Sequence, residues 1–496
     1  MSFENPPLGF PNVNPDFCYD RDIQTITTGK QLLYEDLPFS REQIQLHYEH
    51  GYLIFRNGLE FIKKTPRCVR CGNTDSSWFG TFPCSRCGQV CTYCRKCIMM
   101  GRISSCTKLI SWNGPEPSIE PSLSSNTTKP TLEPIVSPNA QPTLLAWSGR
   151  LSEGQTHASI KVTKAIHNNK ELLVWAVCGA GKTEILFAGI EKALQNGERV
   201  CIATPRTDVV LELTPRLQAA FPSISVASLY GGSSDRHLFA QLTIATTHQL
   251  LRFYHAFDSL IVDEVDAFPY SVDETLQYAV NQARKPNSSL IYLTATPNQK
   301  YQTMCRKGKM ENVMIPARFH RHPLPVPELI WCGNWSKLLK RNKLLPKNVL
   351  LWLEQRVKEH KQALLFLPKI QLIDELLPIL KAKFPSTVIE GVHSEDPNRK
   401  DKVGRMRKQE ISILLTTTIL ERGVTFPNID VAVLGSEDAI FTESALVQIA
   451  GRVGRSTDYP SGTITFFHYG KTKAMVRAYR QITTMNQKAR RLGLIN

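Results

Sequence analysis

One octapeptide constrains the chain more than any other stretch: Ala176-Val177-Cys178-Gly179-Ala180-Gly181-Lys182-Thr183. It follows the apolar run Leu172-Leu173-Val174-Trp175 and leads into the helix-like Glu184-Ile185-Leu186-Phe187-Ala188. A strand that breaks at a glycine-rich turn and restarts as a helix aims several backbone N–H groups at one point, where an anion is favoured. This is a phosphate cradle. Gly179, Ala180 and Gly181 form its wall, Lys182 reaches the β and γ phosphates of ATP, and Thr183 ligates the magnesium ion that bridges them. Ala176 stands where the general pattern has its first glycine, so the match is one residue short.

Around this loop the chain alternates apolar runs with helical segments. Arg199-Val200-Cys201-Ile202-Ala203, Thr243-Ile244-Ala245-Thr246, Ser259-Leu260-Ile261-Val262 and Ser289-Leu290-Ile291-Tyr292-Leu293 read as buried parallel strands covered on both faces. The third of these runs straight into Asp263-Glu264. A carboxylate at the carboxyl end of such a strand meets the magnesium, which assigns Asp263, and Glu264 then orients and deprotonates the attacking water. Past the Pro-rich hinge at 320–327 come four more runs: 362–367, 411–416, 431–434 and 463–467. They predict a second parallel-sheet lobe without a phosphate loop of its own. That lobe carries Gln448-Ile449-Ala450-Gly451-Arg452-Val453-Gly454-Arg455, two arginines expected on one helical face. Their permanently charged, planar heads suit stabilisation of a γ-phosphate in transit. The tail from Lys471 to Asn496 has no acidic residue and reads as a helix packing Met475, Ile482 and Met485 on the second lobe.

Thirteen cysteines stand in the chain, eight of them between Cys68 and Cys106. The spacings Cys68-x-x-Cys71-Gly72, Cys84-x-x-Cys87-Gly88 and Cys94-x-x-Cys97 let two sulfurs of a tight turn face one ion, the glycine supplying a positive φ. Two such pairs close one tetrahedral zinc, and eight cysteines suffice for two; the spacing leaves the pairing open, and iron–sulfur ligation is the alternative metal. Arg67, Arg70, Arg86, Arg95, Lys96 and Arg102 are interleaved with Trp78, Phe79 and Tyr93, a composition suited both to nucleic-acid contact and to a solvated basic face. From 114 to 143 the chain is rich in Pro, Ser and Thr and reads as an extended linker that lets the cysteine module move relative to the two lobes. The net charge of +16 favours a polyanionic partner. No run approaches the roughly 20 apolar residues of a membrane helix, so the chain is expected in the cytosol. The domain reading is therefore an N-terminal region (1–60), a zinc-binding cysteine module (61–113), the linker (114–143), an ATP-binding lobe (144–318), a hinge (319–340) and a second lobe (341–496).

In order and content, residues 144 to 490 resemble a superfamily 2 helicase, which implies an α/β fold with two RecA-like lobes. Gln155 resembles the adenine-reading glutamine of that superfamily, and its phosphate loop accepts alanine at the first position. Arg206, Thr246, Thr247, His248, Thr416 and Thr417 lie in segments resembling its nucleic-acid-contacting motifs. Thr294-Ala295-Thr296 resembles the motif that couples hydrolysis to movement. Three segments are narrower: Asp263 through Tyr270, Ile419 through Pro427 and Tyr93 through Arg102 closely resemble the ComFA family of late-competence proteins. That resemblance implies a single-stranded DNA motor for uptake of transforming DNA, using ATP, Mg2+ and Zn2+. It further implies a location at the inner face of the membrane through other competence proteins and the DNA channel, with an oligomer open. It also assigns Cys68, Cys71, Cys94 and Cys97 to one zinc, leaving Cys84 and Cys87 for a second site, with Cys91 and Cys106 in excess of the four-cysteine pattern. The competing readings are a PriA-like replication-restart helicase and an ATP-switched, DNA-binding scaffold that does not travel.

Overall fold

The computed structural model describes residues 11–118 and 143–495. Most of the expected linker, 119–142, lies outside the described residues. Residue contacts divide the chain into two units. Among the described residues one takes in 11–118, 143–149, 159–172 and 186–293, the other 150–158, 173–185 and 294–495.

The first unit opens with two short helices. Asp20 caps Arg21–Thr27 by accepting from the Asp22 and Ile23 amides, and a reciprocal Ser40–Gln43 capping box starts Arg41–Glu49. Seven strands follow: β1 (Leu53–Asn57), β2 (Leu59–Ile62), β3 (Thr65–Cys68), β4 (Phe79–Pro83), β5 (Val90–Cys94), β6 (Ile103–Ser104) and β7 (Lys108–Trp112). β1 pairs antiparallel with β7, Phe55 opposite Ile110. Ile23, Ile44, Tyr48, Leu53, Ile110 and Trp112 share one core. The stretch expected as a separate N-terminal region thus closes on the far end of the cysteine module, whose hairpins are inserted between β1 and β7.

This module is docked rather than suspended, contrary to the mobility expected of it. Gln31 N donates to Arg252 O at 2.7 Å, Tyr254 N to Gly29 O at 3.0 Å, and Gln31 Nε2 to Leu251 O at 3.0 Å. Asp36 accepts from Arg236 and Arg252, both at 3.0 Å. The Arg56 guanidinium lies 3.4 Å from the Tyr254 ring centre, and Tyr278 donates its hydroxyl to Val69 O. Backbone pairing, ion pairs and stacking together fix an orientation that a linker composition alone cannot report.

The ATP-binding lobe contributes β8 (Glu171–Ala176), β9 (Val200–Thr204), β10 (Val226–Leu229), β11 (Leu242–Thr246), β12 (Phe257–Val262), β13 (Arg284–Thr294) and β14 (Glu311–Ile315); within the first unit the order is β10-β11-β9-β12-β13, every neighbour parallel. The second lobe contributes β15 (Glu328–Trp331), β16 (Gln362–Phe366), β17 (Ile389–Val392), β18 (Ile413–Thr416), β19 (Ile429–Leu434) and β20 (Ile464–His468), ordered β15-β20-β19-β16-β18-β17, every neighbour parallel. Strands β9, β11, β16, β18 and β19 are buried along their whole length, as apolar runs flanked by helices on both faces require. The last helix, Lys473–Arg491, buries Met475, Ile482 and Met485 as expected and leaves Lys473, Arg477, Arg480, Arg490 and Arg491 exposed, while Lys488 is half-buried against Met314 Sδ at 3.5 Å.

Candidate active site and cysteine quartets

β8 ends at Ala176, and the chain turns through Val177–Thr183 before a single 3-10 turn at Glu184–Leu186 and a helix at Phe187–Gln195. Gly179 and Gly181 have φ of +83° and +70°, a region that costs other residues about 1–2 kcal/mol. A Cβ on Gly181 would stand 2.3 Å from Gln155 Nε2, so a side chain here would displace the glutamine amide as well as strain the backbone. Gln155 is itself buried and held at both ends: Nε2 donates to Ala180 O at 2.9 Å and Oε1 accepts from Ser152 N at 2.8 Å. Lys182 stays partly exposed at the mouth, and Thr183 is buried behind it. A glycine-walled turn opening onto a helix start fits a polyphosphate and its magnesium ion.

The arginine segment differs from the expected helical face. The helix covers only Glu443–Ala450; Gly451 caps it, and Gly454 at φ +66° bends the chain, so Arg452 and Arg455 lie in the turn beyond. Arg452 is 1% exposed and gives Nε to Glu421 O at 3.1 Å, whereas Arg455 is partly exposed and gives Nε to Gly451 O at 2.8 Å. Within the second unit this turn meets the phosphate loop. The Cys178 thiol donates to Gln448 Oε1 at 3.1 Å, and a Cβ on Gly451 would come within 2.4 Å of Cys178 Cβ. In the same unit Thr296 and Arg422 both bond the Ser444 hydroxyl, at 2.8 and 3.0 Å, tying the Thr294-Ala295-Thr296 segment to the second lobe.

In the first unit, Asp263 and Glu264 follow directly on β12. Asp263 is anchored by its amide, which donates to Ala203 O, and its carboxylate accepts from Glu264 N, both at 2.8 Å. Glu264 has φ +55°, an uncommon conformation for a side-chain-bearing residue and one that collects at functional sites.

All eight module cysteines gather into two quartets: Cys68, Cys71, Cys94 and Cys97, and Cys84, Cys87, Cys91 and Cys106. Within each, the sulfurs lie within 4.8 Å of one another. A tetrahedral zinc with Zn–S of about 2.3 Å places sulfurs about 3.8 Å apart. The pairs Cys68–Cys97 at 3.8 Å, Cys71–Cys94 at 3.7 Å and Cys84–Cys106 at 3.6 Å match, with Cys87–Cys91 closer at 3.3 Å. Gly72 and Gly88 have φ of +72° and +69°, as the knuckle spacing requires. The quartets interleave in sequence because Cys91 and Cys94 sit three residues apart on β5 and so face opposite sides of it. Cys91 and Cys106, left over by the four-cysteine pattern, complete the second set; the signal for them is this strand alternation, invisible until β5 is placed. Arg70 is no phosphate contact: it is 2% exposed and donates to Cys97 Sγ at 3.1 Å and to the carbonyls of Cys97, Met100 and Gly101. Hydrogen bonds from Cys68, Cys71 and Cys94, followed by the Arg70 charge, hold the Cys97 thiol low.

The comparisons with known proteins follow the same division. Residues 14–111 match the Competence protein ComFA N-terminal domain, 156–304 the DEAD/DEAH box helicase domain and 341–457 the Helicase conserved C-terminal domain. Competence protein ComFA of Bacillus subtilis (strain 168) is 46% identical over 477 residues, covering 96% of this chain and 98% of its own length. The chain belongs to the ComFA family. A second ComFA, from Streptococcus pneumoniae (strain ATCC BAA-255 / R6), is 39% identical over 397 residues, 80% of this chain and 86% of that one. Among solved structures, the Mycobacterium smegmatis helicase Lhr bound to ssDNA and AMP-PNP covers 68% of this chain and 50% of its own at a TM-score of 0.50 and 15% identity, a likeness of fold. This ComFA-family chain is thus a competence-related, helicase-like ATPase that uses ATP and Mg2+.

Of the six residues expected at nucleic acid, His248 is exposed and Arg206 partly so. Thr246, Thr247, Thr416 and Thr417 are buried at 6, 0, 0 and 8% exposure. They sit at or just past the carboxyl ends of β11 and β18, where the Thr247 amide donates to Thr204 O at 2.9 Å and Thr416 O accepts from Leu367 N at 2.7 Å. Sequence reasoning missed Arg318, whose side chain reaches Cys178 and the arginine turn; nothing in its local pattern marks it. No helix among the described residues is long and apolar enough to cross a membrane.

Proposed function

We propose that the chain is an ATP-driven motor that moves along single-stranded DNA and serves the uptake of transforming DNA. The observation that carries this reading is the meeting of the phosphate loop with the arginine turn in one unit, through Cys178 and Gln448, in a ComFA-family chain. Lys182 neutralises charge on the β and γ phosphates, while Thr183 and Asp263 hold the magnesium ion that offsets the rest. Glu264 accepts the proton of the attacking water as its oxygen bonds phosphorus and the bond to ADP breaks. Arg455 and Arg452 supply positive charge where the transferring phosphoryl group develops negative charge, and Gln155 senses the nucleotide through Ala180. Product release relaxes the arginine turn from the loop, and the Thr296–Ser444–Arg422 link carries that change within the second unit, where Thr416 and Thr417 are proposed strand contacts, as Thr246, Thr247, His248 and Arg206 are in the first.

Each cysteine quartet holds one zinc in this reading, supported by the all-sulfur donor sets and their spacing. The two ions fix hairpins that have little core of their own. Partners are single-stranded DNA, other late-competence proteins and the membrane channel, reached at the inner face of the membrane. The test is steady-state ATP hydrolysis with single-stranded DNA, duplex DNA, RNA or no polymer, beside Lys182→Ala. Selective stimulation by single-stranded DNA, abolished in Lys182→Ala, is expected. Equal stimulation by RNA contradicts the substrate, and no stimulation by any polymer favours the non-travelling switch.

A further inference from the structure

Arg318 is the first residue after the short Pro316-Ala317 link that follows β14, and it is 1% exposed. Its guanidinium is spent entirely on backbone carbonyls. Nε donates to Cys178 O at 3.2 Å, NH1 to Val453 O at 2.8 Å and to Gly454 O, and NH2 to Gly451 O at 3.4 Å. Cys178 belongs to the phosphate loop; the other three belong to the turn that carries Arg452 and Arg455. The fit is close on both sides. A Cβ on Gly179 would lie 3.5 Å from Arg318 Nε, and one on Gly454 would lie 3.0 Å from NH1. Neighbouring residues repeat the bridge: Val177 N donates to Ile315 O at 3.1 Å, Phe319 N to Gly179 O at 3.4 Å, and His320 Nε2 bonds Gly454 O at 3.0 Å.

We infer that Arg318 is a positioning residue for hydrolysis, clamping the arginine turn onto the phosphate loop so that Arg455 and Arg452 stand where the γ-phosphoryl group departs. Three physical points favour this over simple packing. A planar fork with five donors is the side chain able to serve carbonyls on two separate turns at once, and lysine lacks that geometry. A buried cation whose bonds run to neutral carbonyls is costly to keep, and structural packing alone is met more cheaply by an apolar residue. Burial and the nearby Arg455 charge pull its pKa down to about 10, which still leaves it charged at neutral pH. Two like charges held close are strained until an anion lies between or beside them, and the phosphates of ATP are such an anion.

The inference rests on the finger role proposed for Arg452 and Arg455, and the experiment separates the two. Full-length parent, Arg318→Lys, Arg318→Gln and Arg455→Ala are compared for kcat, KM for ATP, affinity for ADP and affinity for ADP with aluminium fluoride, which mimics the transferring phosphoryl group. Thermal melting is followed in parallel. The expected result is a fall in kcat of about tenfold or more in both Arg318 variants, with a matching loss of ADP–aluminium fluoride affinity. ADP affinity and melting temperature stay close to the parent. The inference is overturned if Arg318→Lys keeps kcat within about threefold, if ADP affinity falls in step with kcat, or if both Arg318 variants fail to fold. Arg455→Ala reports on the finger reading alone: unchanged kcat there, with Arg318 variants impaired, removes the finger role and shows that the clamp acts on the phosphate loop instead.

Discussion

At the scale of single residues, the proposed site divides into groups that would meet phosphate and groups that hold them in place. Glu264 combines a strained φ of +55° with a position directly past β12, and its proposed task is proton removal rather than nucleotide binding. Glu264→Gln keeps the shape and removes the base. Its kcat should fall by about 10²–10⁴-fold while ATP affinity stays within a few fold, measured by single-turnover hydrolysis and by equilibrium binding; a variant that keeps its rate places the base elsewhere. Arg70 takes the corresponding supporting position at the cysteines: its bond to Cys97 Sγ would offset the negative charge that four thiolates carry around the proposed zinc. Arg70→Leu should weaken metal retention at that quartet by roughly 10–100-fold, the usual size of an outer-shell effect. Zinc release to a chromophoric chelator checks it: two ions per chain are expected in the parent, matching the two quartets, with one released early in the variant. Release of both ions at unchanged rates contradicts the role.

At the scale of elements, the docking of the N-terminal module on the ATP-binding lobe is the feature with the clearest pH signature. Lys30 is 2% exposed, and its Nζ has a 3.3 Å bond to Arg236 O. Burial first, then the charges of Arg199 and Arg252, lower its pKa from the ordinary 10.5 to about 7. Between pH 7 and 10.5 the unfolded chain therefore binds a proton at this lysine that the folded chain does not, and stability rises with pH across that window. Below about 7 the lysine is charged in both states and the full penalty is present. Lys30→Met should raise the melting temperature at pH 7 and lose its advantage as pH climbs towards 10. A variant that is less stable at pH 7, or a gap that does not narrow, contradicts this.

The same scale shows what is legible in the sequence. The phosphate loop, Asp263-Glu264 and the apolar strand runs are readable because each is local: spacing and periodicity fix them without any partner. The first quartet is assignable by resemblance, but the second needs β5, since only a placed strand shows that Cys91 and Cys94 face opposite ways. The arginine turn differs from a helical face because Gly451 and Gly454 end the helix early, and a glycine's φ is set by what approaches it. Docking of the module is illegible for a stronger reason. Gln31 and Arg252, or Arg56 and Tyr254, are some 200 positions apart and carry no pattern that pairs them.

At the scale of the whole molecule, a net charge of +16 favours binding of a polyanion that tolerates any sequence and weakens with salt. Binding of that kind is shared by a travelling motor and by a stationary clamp; displacement of an obstacle is not. The most direct measurement is therefore triplex displacement: a third strand is annealed on a duplex that carries a single-stranded loading tail, and its release is followed with ATP for the parent protein and for Lys182→Ala. Release by the parent, absent without ATP and absent in Lys182→Ala, is the predicted result. ATP hydrolysis stimulated by the tail with the third strand left in place would contradict the motor and leave an ATP-switched clamp.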